Sequence, residues 1–499
     1  MRKIGCLVGL AVVMAGHVGA AEFRAGFGEV DITPPRGTPR QGWNSKLVGE
    51  SALDPLFVRA AVFERGDAGP VVIIQLDVAL VSAADTAAIR DRTRGAHGIP
   101  SDRVMVTATH NHAGPAMIDE ALPRDEGYIK RMVEASSDAV GKALAAREVA
   151  EFAAGTAFEF EVATNRRVLM RDGTVRTHGS FKDPAALGFE GPIDPEVGVL
   201  AFRGRDGAIR GAIVNFACHP THHGGDPVFS AGYPGVIARE LKARGIPVTL
   251  FLQGAAGNIA YDDPRGRPAK TMEEMGRILA EDAMRAIAKP SWTTPGAVSA
   301  ATKTVRIRYR EATDEDIRGT ARGAQRFGEP GYYDRTIPPL VALIRERKEM
   351  EAEVQVIRLG DVALAAQPSE SFVEHGLRIK EATWPTRTFV VCYANGMLGY
   401  LPHEEAFRRG GYECTFGPPS MMAPEAGRVL ADAAIELITP RRGATQGSRS
   451  RSPHEWTWPP ESPAMSGESP EGTIRAVIQS RERDRSARTT SPPPATTRR

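Results

Sequence analysis

The chain is poor in cysteine and in net charge, and each shortage excludes a class of protein. Only 4 of its 499 residues are cysteine, too few for a scaffold held together by disulfides. The formal net charge is +2, and residues 441–499, with 11 arginines against 6 acidic residues, more than account for it. The rest of the chain therefore carries no nucleic-acid signature. No apolar run is long enough to cross a bilayer of about 30 Å.

The two ends of the chain differ from its middle. Two cations precede a short apolar run over residues 4–14, and Val18-Gly19-Ala20 supplies the small residues of a cleavage site. We therefore predict a signal peptide over 1–20, cleavage after Ala20 and a secreted or periplasmic protein. Residues 441–499 are rich in Ser, Arg, Thr and Pro, which predicts a disordered tail.

Three cysteines remain after the predicted signal peptide. Cys218 precedes His219 directly and is expected to stay a buried thiol. Cys392 and Cys414 are able to pair in an oxidising compartment, and their spacing leaves open whether they do.

Residues 21–440 alternate between β-branched apolar runs and helical patterns, without a repeat or a long linker. Strands are predicted over 71–77, 104–109, 196–202, 212–217, 248–253, 354–359, 362–366 and 389–393. Helices are predicted over 83–94, 128–146, 233–243, 272–288, 371–381 and 424–437, the last with Pro424 at its first position. This order predicts an α/β fold with mixed β-sheets flanked by helices in a single large domain, built from two sheets or two packed halves. Residues 312–352 are predicted to be an exposed helical insertion without a chemical role.

Two histidines, His110 and His112, directly follow the predicted strand 104–109. In extended backbone, residues i and i+2 point to the same side, so both imidazoles are able to reach one point at the strand end. Strand ends in α/β sheets are common binding places, and imidazole is the commonest nitrogen ligand of zinc. A second cluster, with His219, His222 and His223, again follows a predicted strand. Two such clusters favour a shared metal over isolated capping histidines.

Three further segments carry polar groups after strands. Residues 252–258 run into a glycine-rich turn that lacks the Lys-Ser/Thr ending of a phosphate-binding loop. Glu370 follows strand 362–366, where Ser369 is able to cap a helix with Glu370 in its first turn. Tyr400 and Tyr412 lie among glycines, where a tyrosine often presents its hydroxyl to a ligand.

Together these segments resemble the catalytic domain of the neutral/alkaline ceramidase family along nearly all of residues 22–440. The resemblance rests on an ordered set of motifs: Gly26-Phe27-Gly28-Glu29-Val30-Asp31-Ile32-Thr33-Pro34-Pro35, Asp54-Pro55-Leu56, Thr109-His110-Asn111-His112-Ala113-Gly114-Pro115, Asn165-Arg166, Asp194-Pro195-Glu196-Val197, and Tyr400 followed by Tyr412. It implies a hydrolase that cleaves an N-acyl amide, such as ceramide, with water activated by zinc. Peripheral contact with a membrane surface is compatible with such a lipid substrate.

The resemblance also implies roles for single residues. The zinc ligands would be His110, His219, Glu370 and Tyr400. His112 would contact the substrate and the attacking water, and Arg166 and Tyr412 would hold the carbonyl oxygen. For Glu370 this reading replaces the helix-cap interpretation.

The chain departs from the family at residues 257–262, where Asn258 and Ala260 replace an aspartate and a serine. The change at Ala260 excludes a serine nucleophile there and leaves ceramide specificity open. In place of the C-terminal β-sandwich domain of long family members, we expect only the disordered tail predicted above. Two alternatives stay open: an amidohydrolase barrel, which also uses His-x-His at a strand end, and a binding protein that kept the fold without the activity.

Overall fold

The computed structural model describes residues 21–119, 121–329 and 331–439, so the predicted signal peptide (1–20) and tail (441–499) lie outside the described residues. The strands of the described residues are β1 (Phe23–Asp31), β2 (Pro39–Arg40), β3 (Leu47–Val48), β4 (Ser51–Ala52), β5 (Phe57–Arg65), β6 (Val71–Leu76), β7 (Val104–Ala108), β8 (Glu148–Phe158), β9 (Thr164–Asn165), β10 (Arg167–Met170), β11 (Val175–Thr177), β12 (Ala186–Phe189), β13 (Glu196–Gly204), β14 (Ile209–Phe216), β15 (Val228–Phe229), β16 (Thr249–Gln253), β17 (Ile259–Ala260), β18 (Val298–Arg308), β19 (Glu349–Leu359), β20 (Val362–Ala366), β21 (Glu370–Ser371), β22 (Arg387–Val391) and β23 (Tyr400–Leu401). The helices are α1 (Ala83–His97), α2 (Glu126–Ala145), α3 (Gly232–Ala243), α4 (Met272–Ala286), α5 (Asp314–Arg318), α6 (Tyr332–Arg347), α7 (Val373–Ala382), α8 (Glu404–Arg409) and α9 (Ala426–Ile438).

Two mixed sheets make up the centre of the domain. The larger has the strand order β16-β14-β13-β8-β1-β5-β6-β7 and the smaller β18-β19-β20-β22. One apolar cluster contains Phe63 and Phe202 of the larger sheet together with Leu364 and Phe389 of the smaller, so the sheets pack face to face. Helices cover the remaining faces, which confirms the predicted fold class. Because the larger sheet is open, with β16 and β7 at its edges, the amidohydrolase barrel is wrong for this chain.

Three parallel strand pairs position the functional residues. Each pair is joined by a helix: β6-α1-β7, β14-α3-β16 and β20-α7-β22. Strands β6, β7 and β20 are buried along their whole length, as parallel strands covered on both faces are expected to be. The chain leaves β7, β14 and β20 just before His110, His219 and Glu370. The carboxyl ends of strands from two sheets therefore meet at one place, the usual binding place of α/β proteins.

Helix ends follow local signals that the sequence carries. Ser82 accepts a hydrogen bond from the Asp85 amide at the start of α1, and Gly98 ends this helix in the left-handed conformation. Thr271 begins α4 with a reciprocal capping box. Pro424 was expected at the first position of α9, but the helix begins at Ala426 and the proline precedes the cap. The predicted cap at Ser369 is also wrong: α7 begins at Val373, after Phe372 as its N-cap.

All eight predicted strands and all six predicted helices are present, β20 with the predicted ends and the others with shifted ends. Four long strands were not predicted: β1, β5, β8 and β18. Strand β1 shows the physical reason. A Cβ at Gly26 would lie 2.1 Å from the Ala143 carbonyl oxygen, and one at Gly28 would lie 2.5 Å from that of Ala139. The backbone of α2 packs directly on the strand, so glycines interrupt the apolar alternation that marks a strand.

The segment 312–352 is helical in part, as predicted, and part of it reaches the cavity described below. It contains α5, α6 and the start of β19, and Tyr332 and Thr336 of α6 line that cavity. Cys218, Cys392 and Cys414 are all buried and free, so the pairing left open by the sequence is not formed. Within the described ranges we find no helix that combines the length and apolarity of a membrane span.

Candidate metal centre and its cavity

His110 lies two residues beyond β7, where the chain turns. Its φ of 64° is left-handed, an uncommon conformation outside glycine that often marks functional sites. The ring Nδ1 lies 2.7 Å from the Ala79 carbonyl oxygen, and the Tyr393 ring stacks on the imidazole with centroids 3.9 Å apart. The imidazole is therefore fixed in position and in tautomer, with Nδ1 carrying the proton.

His219 and His112 are held in the same way. Nδ1 of His219 lies 2.6 Å from the Ala256 carbonyl oxygen, and Nδ1 of His112 lies 2.7 Å from that of Gly42. We assign the proton of each ring to Nδ1, because a carbonyl only accepts. Each Nε2 is then left with a lone pair, and a metal-binding histidine is typically oriented by such a partner on its other nitrogen.

The Nε2 atoms and two oxygens converge on one place. Oε2 of Glu370 lies 3.2 Å from Nε2 of His110 and 3.2 Å from Nε2 of His219. The Tyr400 hydroxyl lies 3.4 Å from Nε2 of His219, and Nε2 of His112 lies 3.1 Å from Nε2 of His110. The ligand atoms of the three histidines all lie within 4.8 Å of one another.

This donor set fits a cation. Ligands at 2.0–2.2 Å from a tetrahedral zinc lie about 3.3–3.6 Å from one another, close to the separations around Glu370 and Tyr400. With the Nδ1 protons directed to carbonyls, the histidine nitrogens and the Glu370 carboxylate face one another as acceptors. A cation placed between these buried acceptors would offset their mutual repulsion.

The charges agree with that geometry. Burial and the nearby Arg166 guanidinium lower the pKa of His219 to about 4, so the ring stays neutral near pH 7. Burial by itself raises the pKa of Glu370, but His110 and His219 outweigh it and hold this pKa well below its usual range. Burial and the Glu370 carboxylate raise the pKa of Tyr400 well above its usual range. The site thus presents a neutral imidazole at His219, a carboxylate at Glu370 and a phenol at Tyr400.

Behind Tyr400 lies a buried network of ions. Arg166 donates from Nε to Oε1 of Glu413 at 2.7 Å and from Nη2 to the Gly257 carbonyl oxygen at 2.8 Å, and its guanidinium lies 5.5 Å from the Tyr400 ring centroid. The other oxygen of Glu413 accepts from Arg167 at 2.8 Å and from the Thr177 hydroxyl at 2.7 Å. Burial alone lowers the pKa of Arg166, but Tyr400 and Glu413 outweigh it and raise this pKa.

Tyr412 lies at the rim beside Tyr400, with ring centroids 5.6 Å apart. Its hydroxyl accepts a hydrogen bond from Nδ2 of Asn44 at 3.3 Å, and the Phe327 ring packs 5.0 Å from its own. The Trp43 ring packs edge-on against His112 at 5.8 Å. Two exposed aromatic rings, Trp43 and Phe327, therefore pack against His112 and Tyr412.

A cavity of about 750 Å³ opens beside these groups, within the size range of small-molecule sites. His110, His112, Glu370, Tyr400 and Tyr412 all line one end of it. Its other walls come from α1, from the segment after β22 and from α6, together with β18 and β19 of the smaller sheet.

The structure thus brings together all seven residues singled out from the sequence, but in two groups. His110, His112, His219, Glu370 and Tyr400 surround the metal centre, with Tyr412 beside them. Arg166 is not among the cavity-lining residues and reaches the site through Tyr400. His222 and His223 lie apart from the cluster: His222 stacks on Tyr261, and His223 pairs with Asp226.

Several supporting residues were not predicted. Asn44 and Glu413 act only through contacts between segments distant in sequence, so no local signal indicates them. Tyr393 stands in the same glycine-rich segment as Tyr400, but its stacking on His110 was not predicted. Asn258 accepts from the Val373 amide at 2.9 Å, and Ala260 is buried in the short pair β17-β9. Neither Asn258 nor Ala260 is a cavity-lining residue.

The relatives found in sequence and in structure are all ceramidases. No protein-family model matches the chain. In sequence it is similar to the neutral ceramidase of Pseudomonas aeruginosa, with 22% identity covering 87% of this chain and 75% of that protein. The crystal structure of that ceramidase has a TM-score of 0.66 to this chain at 20% identity, covering 84% of this chain and 75% of the other. A ceramidase complexed with C2 gives a TM-score of 0.65 at 20% identity over the same shares. The resemblance predicted from the motifs is confirmed, and the fold is shared.

Proposed function

We propose that this protein is a zinc-dependent amidase of the neutral ceramidase type, hydrolysing an N-acyl amide such as ceramide to a fatty acid and an amine. One observation carries the proposal. Three histidines with their Nδ1 protons directed to carbonyls, a buried carboxylate and a phenol converge at one end of a cavity large enough for a substrate. The similarity to a neutral ceramidase supports the choice of an amide as the bond that is cleaved.

We assign His110, His219, Glu370 and Tyr400 as the zinc ligands. Glu370 is preferred to His112 as the third ligand because its Oε2 lies at the same distance, 3.2 Å, from Nε2 of His110 and from Nε2 of His219. When bound, zinc would supply Lewis acidity at this point and make hydroxide available near neutral pH.

The other residues act on the proton and on the carbonyl oxygen. Burial, His110 and His219 lower the pKa of His112 well below its usual range, so its ring is neutral and able to accept the proton of the attacking water. Nε2 of His112, which carries the lone pair, is then placed to return this proton to the leaving amine. Tyr412 lines the cavity beside Tyr400 and is placed to donate to the carbonyl oxygen as negative charge develops on it. Arg166 is a positioning residue that orients Tyr400 and adds positive charge behind it.

The proposal includes export through the predicted signal peptide and contact with a lipid surface by way of the substrate. Mass spectrometry of the protein recovered from the medium or periplasm tests the first, with an N-terminus at Ala21 expected.

The decisive experiment measures zinc and fatty-acid release together. Purified protein should contain about one zinc per chain and release fatty acid from a fluorescent short-chain ceramide in a chelator-sensitive reaction. The same two measurements on His219→Ala should show loss of both zinc and release. His97→Ala, at the last residue of α1 and outside the cluster, is the matched control for removing a histidine and should retain both. Zinc without release from any N-acyl amide would support the binding-protein alternative. Release that persists in zinc-free protein would overturn the proposal.

A further inference from the structure

The glycine-rich turn that follows β16 is a sequence motif to which the proposed function gives no role, yet its backbone holds two residues of the site. The Ala256 carbonyl oxygen lies 2.6 Å from Nδ1 of His219, and the Gly257 carbonyl oxygen accepts from Nη2 of Arg166 at 2.8 Å. The carbonyl oxygen of Asn258 accepts from the Arg166 amide at 2.9 Å. The turn therefore sets the position of both side chains.

The same turn also contacts the segment that carries Glu370. The Gly257 amide donates to the Ser371 carbonyl oxygen at 2.9 Å, and a Cβ at position 257 would lie 2.4 Å from the Glu370 carbonyl oxygen. Only glycine permits so close an approach of the two backbones. Three separate segments of the site, with His219, Arg166 and Glu370, thus meet on one turn.

Asn258 extends this junction with its side chain, which is fully buried. Its Oδ1 accepts from the Val373 amide at 2.9 Å. Val373 is the first residue of α7, and Phe372, the N-cap, provides no side-chain cap of its own. The first amides of a helix have no partner within the helix and need one from elsewhere. Asn258 therefore caps, from a distant segment, the helix that begins three residues after Glu370.

The other branch of the Asn258 amide binds Glu374. Nδ2 lies 3.0 Å from Oε2 and 3.3 Å from Oε1 of that carboxylate. Because the Val373 amide only donates and the carboxylate accepts, the orientation of the Asn258 amide is determined by its two partners. Position 258 thus needs an acceptor on one branch and a donor on the other, which an amide supplies and a carboxylate does not.

This requirement gives a reason for the departure from the ceramidase motif at position 258. An aspartate there would keep the acceptor for Val373 but would place a second carboxylate across the 3.0 Å now spanned by a hydrogen bond to Glu374. Two carboxylates so close together cannot both ionise easily. Burial and the nearby Glu190 carboxylate already raise the pKa of Glu374, with His403 and the Asn258 amide acting against them. A further anion in place of the amide removes one of these two opposing groups.

We propose that Asn258 and Glu374 form a matched pair, in which Asn258 is the positioning residue that fixes the start of α7 and with it the metal ligand Glu370. The amide at 258 and the carboxylate at 374 require each other, and an exchange that keeps one donor and one acceptor preserves the junction. The inference rests on the proposed function for the metal and its ligands, and is independent of the substrate.

The test measures zinc affinity by competition with a chromophoric chelator and records thermal unfolding on the same samples. Asn258→Asp should weaken zinc binding by about 10- to 100-fold, the range typical of groups that orient metal ligands. Glu374→Gln keeps an acceptor for Nδ2 of Asn258 and should stay within about 3-fold of the wild-type affinity. Both substitutions keep the size of the side chain. An unchanged zinc affinity in Asn258→Asp would overturn the inference.

The double variant Asn258→Asp/Glu374→Gln is the sharpest test, because it exchanges donor and acceptor. The amide at 374 is then able to donate to the carboxylate at 258, so zinc affinity should return to within about 3-fold of the wild-type value. If Asn258→Asp alone does not fold, the double variant should recover both folding and zinc binding. A double variant as defective as Asn258→Asp would overturn the inference.

Asn395 supplies a matched control with the same chemistry at another place. Its Oδ1 accepts from the Val106 amide at 2.9 Å, and its Nδ2 donates to Oε1 of Glu353 at 3.0 Å. Asn395→Asp therefore also places a carboxylate beside a glutamate and should lower the melting temperature, but Glu374→Gln should not repair it. Equal repair of Asn258→Asp and Asn395→Asp by Glu374→Gln would show a general stabilising effect and contradict the pair.

None of these measurements requires a substrate, so the inference and the proposed function fail separately. The expected pattern of zinc affinities without cleavage of any N-acyl amide would overturn the amidase and keep the pair. Chelator-sensitive cleavage by the wild-type protein, together with an unchanged zinc affinity in Asn258→Asp, would do the reverse.

Discussion

The metal side of the site (His110, His112, His219 and Glu370) and its arginine side (Arg166, Arg167, Glu190, Glu413 and Thr177) are both buried, yet they are oriented by opposite means. On the metal side, backbone carbonyls hold the Nδ1 atoms of the three imidazole rings, and the remaining nitrogens face one another. On the arginine side, carboxylates hold cations: Glu413 bonds both arginines, and Glu190 bonds Arg167.

The difference separates two tasks. Acceptors that face one another leave the metal side incomplete without a cation, whereas the arginine side is neutralised by its own carboxylates. Loss of a group on the metal side should therefore act on metal content, and loss on the arginine side should act on rate and stability. Each prediction below tests this division.

The largest effect is expected from His219→Ala. It removes a nitrogen that lies close to both Glu370 and Tyr400, so zinc content should fall to a small fraction of one per chain. Activity should fall by about 1,000-fold or more, since about 4 kcal/mol of stabilisation corresponds to that factor. Metal analysis with a parallel rate measurement checks this. Full zinc content in the variant would break the assignment of the metal side.

A smaller effect is expected from Arg166→Ala, which acts through Tyr400. Partners of metal ligands typically contribute about 10- to 100-fold, and we expect kcat to fall within that range. Zinc content should stay near one per chain. Arg166→Lys keeps the charge but not the geometry of the bonds to Glu413 and Gly257, and should recover part of the rate. Loss of zinc equal to that of His219→Ala would show that the two sides are not separate.

The fold could be predicted where the chain carries local periodicity. Strands β6, β7 and β20 are apolar runs, and α1 and α4 have caps that can be read from the sequence. Strand β1 could not be recognised, because Gly26 and Gly28 are required by the close approach of α2 rather than by the strand itself. Such positions are decided by packing between segments that are distant along the chain, and this packing cannot be read from a single sequence.

The same limit applies to the site. His110 and His219 follow strands and could be singled out, and Glu370 required the resemblance because its local context favoured a helix cap. Glu413 gave no signal, since its three partners lie more than 230 positions away along the chain. The histidines of the metal side were predictable because they follow the ends of strands. Glu370 and Arg166 were reached only through the resemblance, and Glu413 was not predicted because its contacts are made only by the fold.

Glu413→Gln tests the arginine side through pH. Burial alone raises the pKa of Glu413, but Arg166 and Arg167 outweigh it and lower this pKa to about 2. A depressed pKa contributes stability above the unfolded value of about 4.5, and this contribution is lost as the pH falls towards 2. At pH 7 the variant should be less stable by about 3 kcal/mol, with a several-fold lower kcat. Denaturant titrations of both proteins from pH 7 to pH 3 should show the gap closing, and a constant gap would contradict a charged Glu413.

The smallest effect is expected from Ala260→Ser, which restores the residue type of the ceramidase motif. Ala260 pairs with Thr164 next to Arg166, is 1% exposed and does not line the cavity. Because position 260 does not line the cavity, a serine hydroxyl there should not contact substrate, and kcat/KM on a short-chain ceramide should change by less than about two-fold, or about 0.4 kcal/mol. Stability should fall by about 1 kcal/mol from burial of the new hydroxyl. An increase of ten-fold or more in kcat/KM would mean that this position does reach the substrate, and the arginine side would then take part in substrate choice as well as in positioning Tyr400.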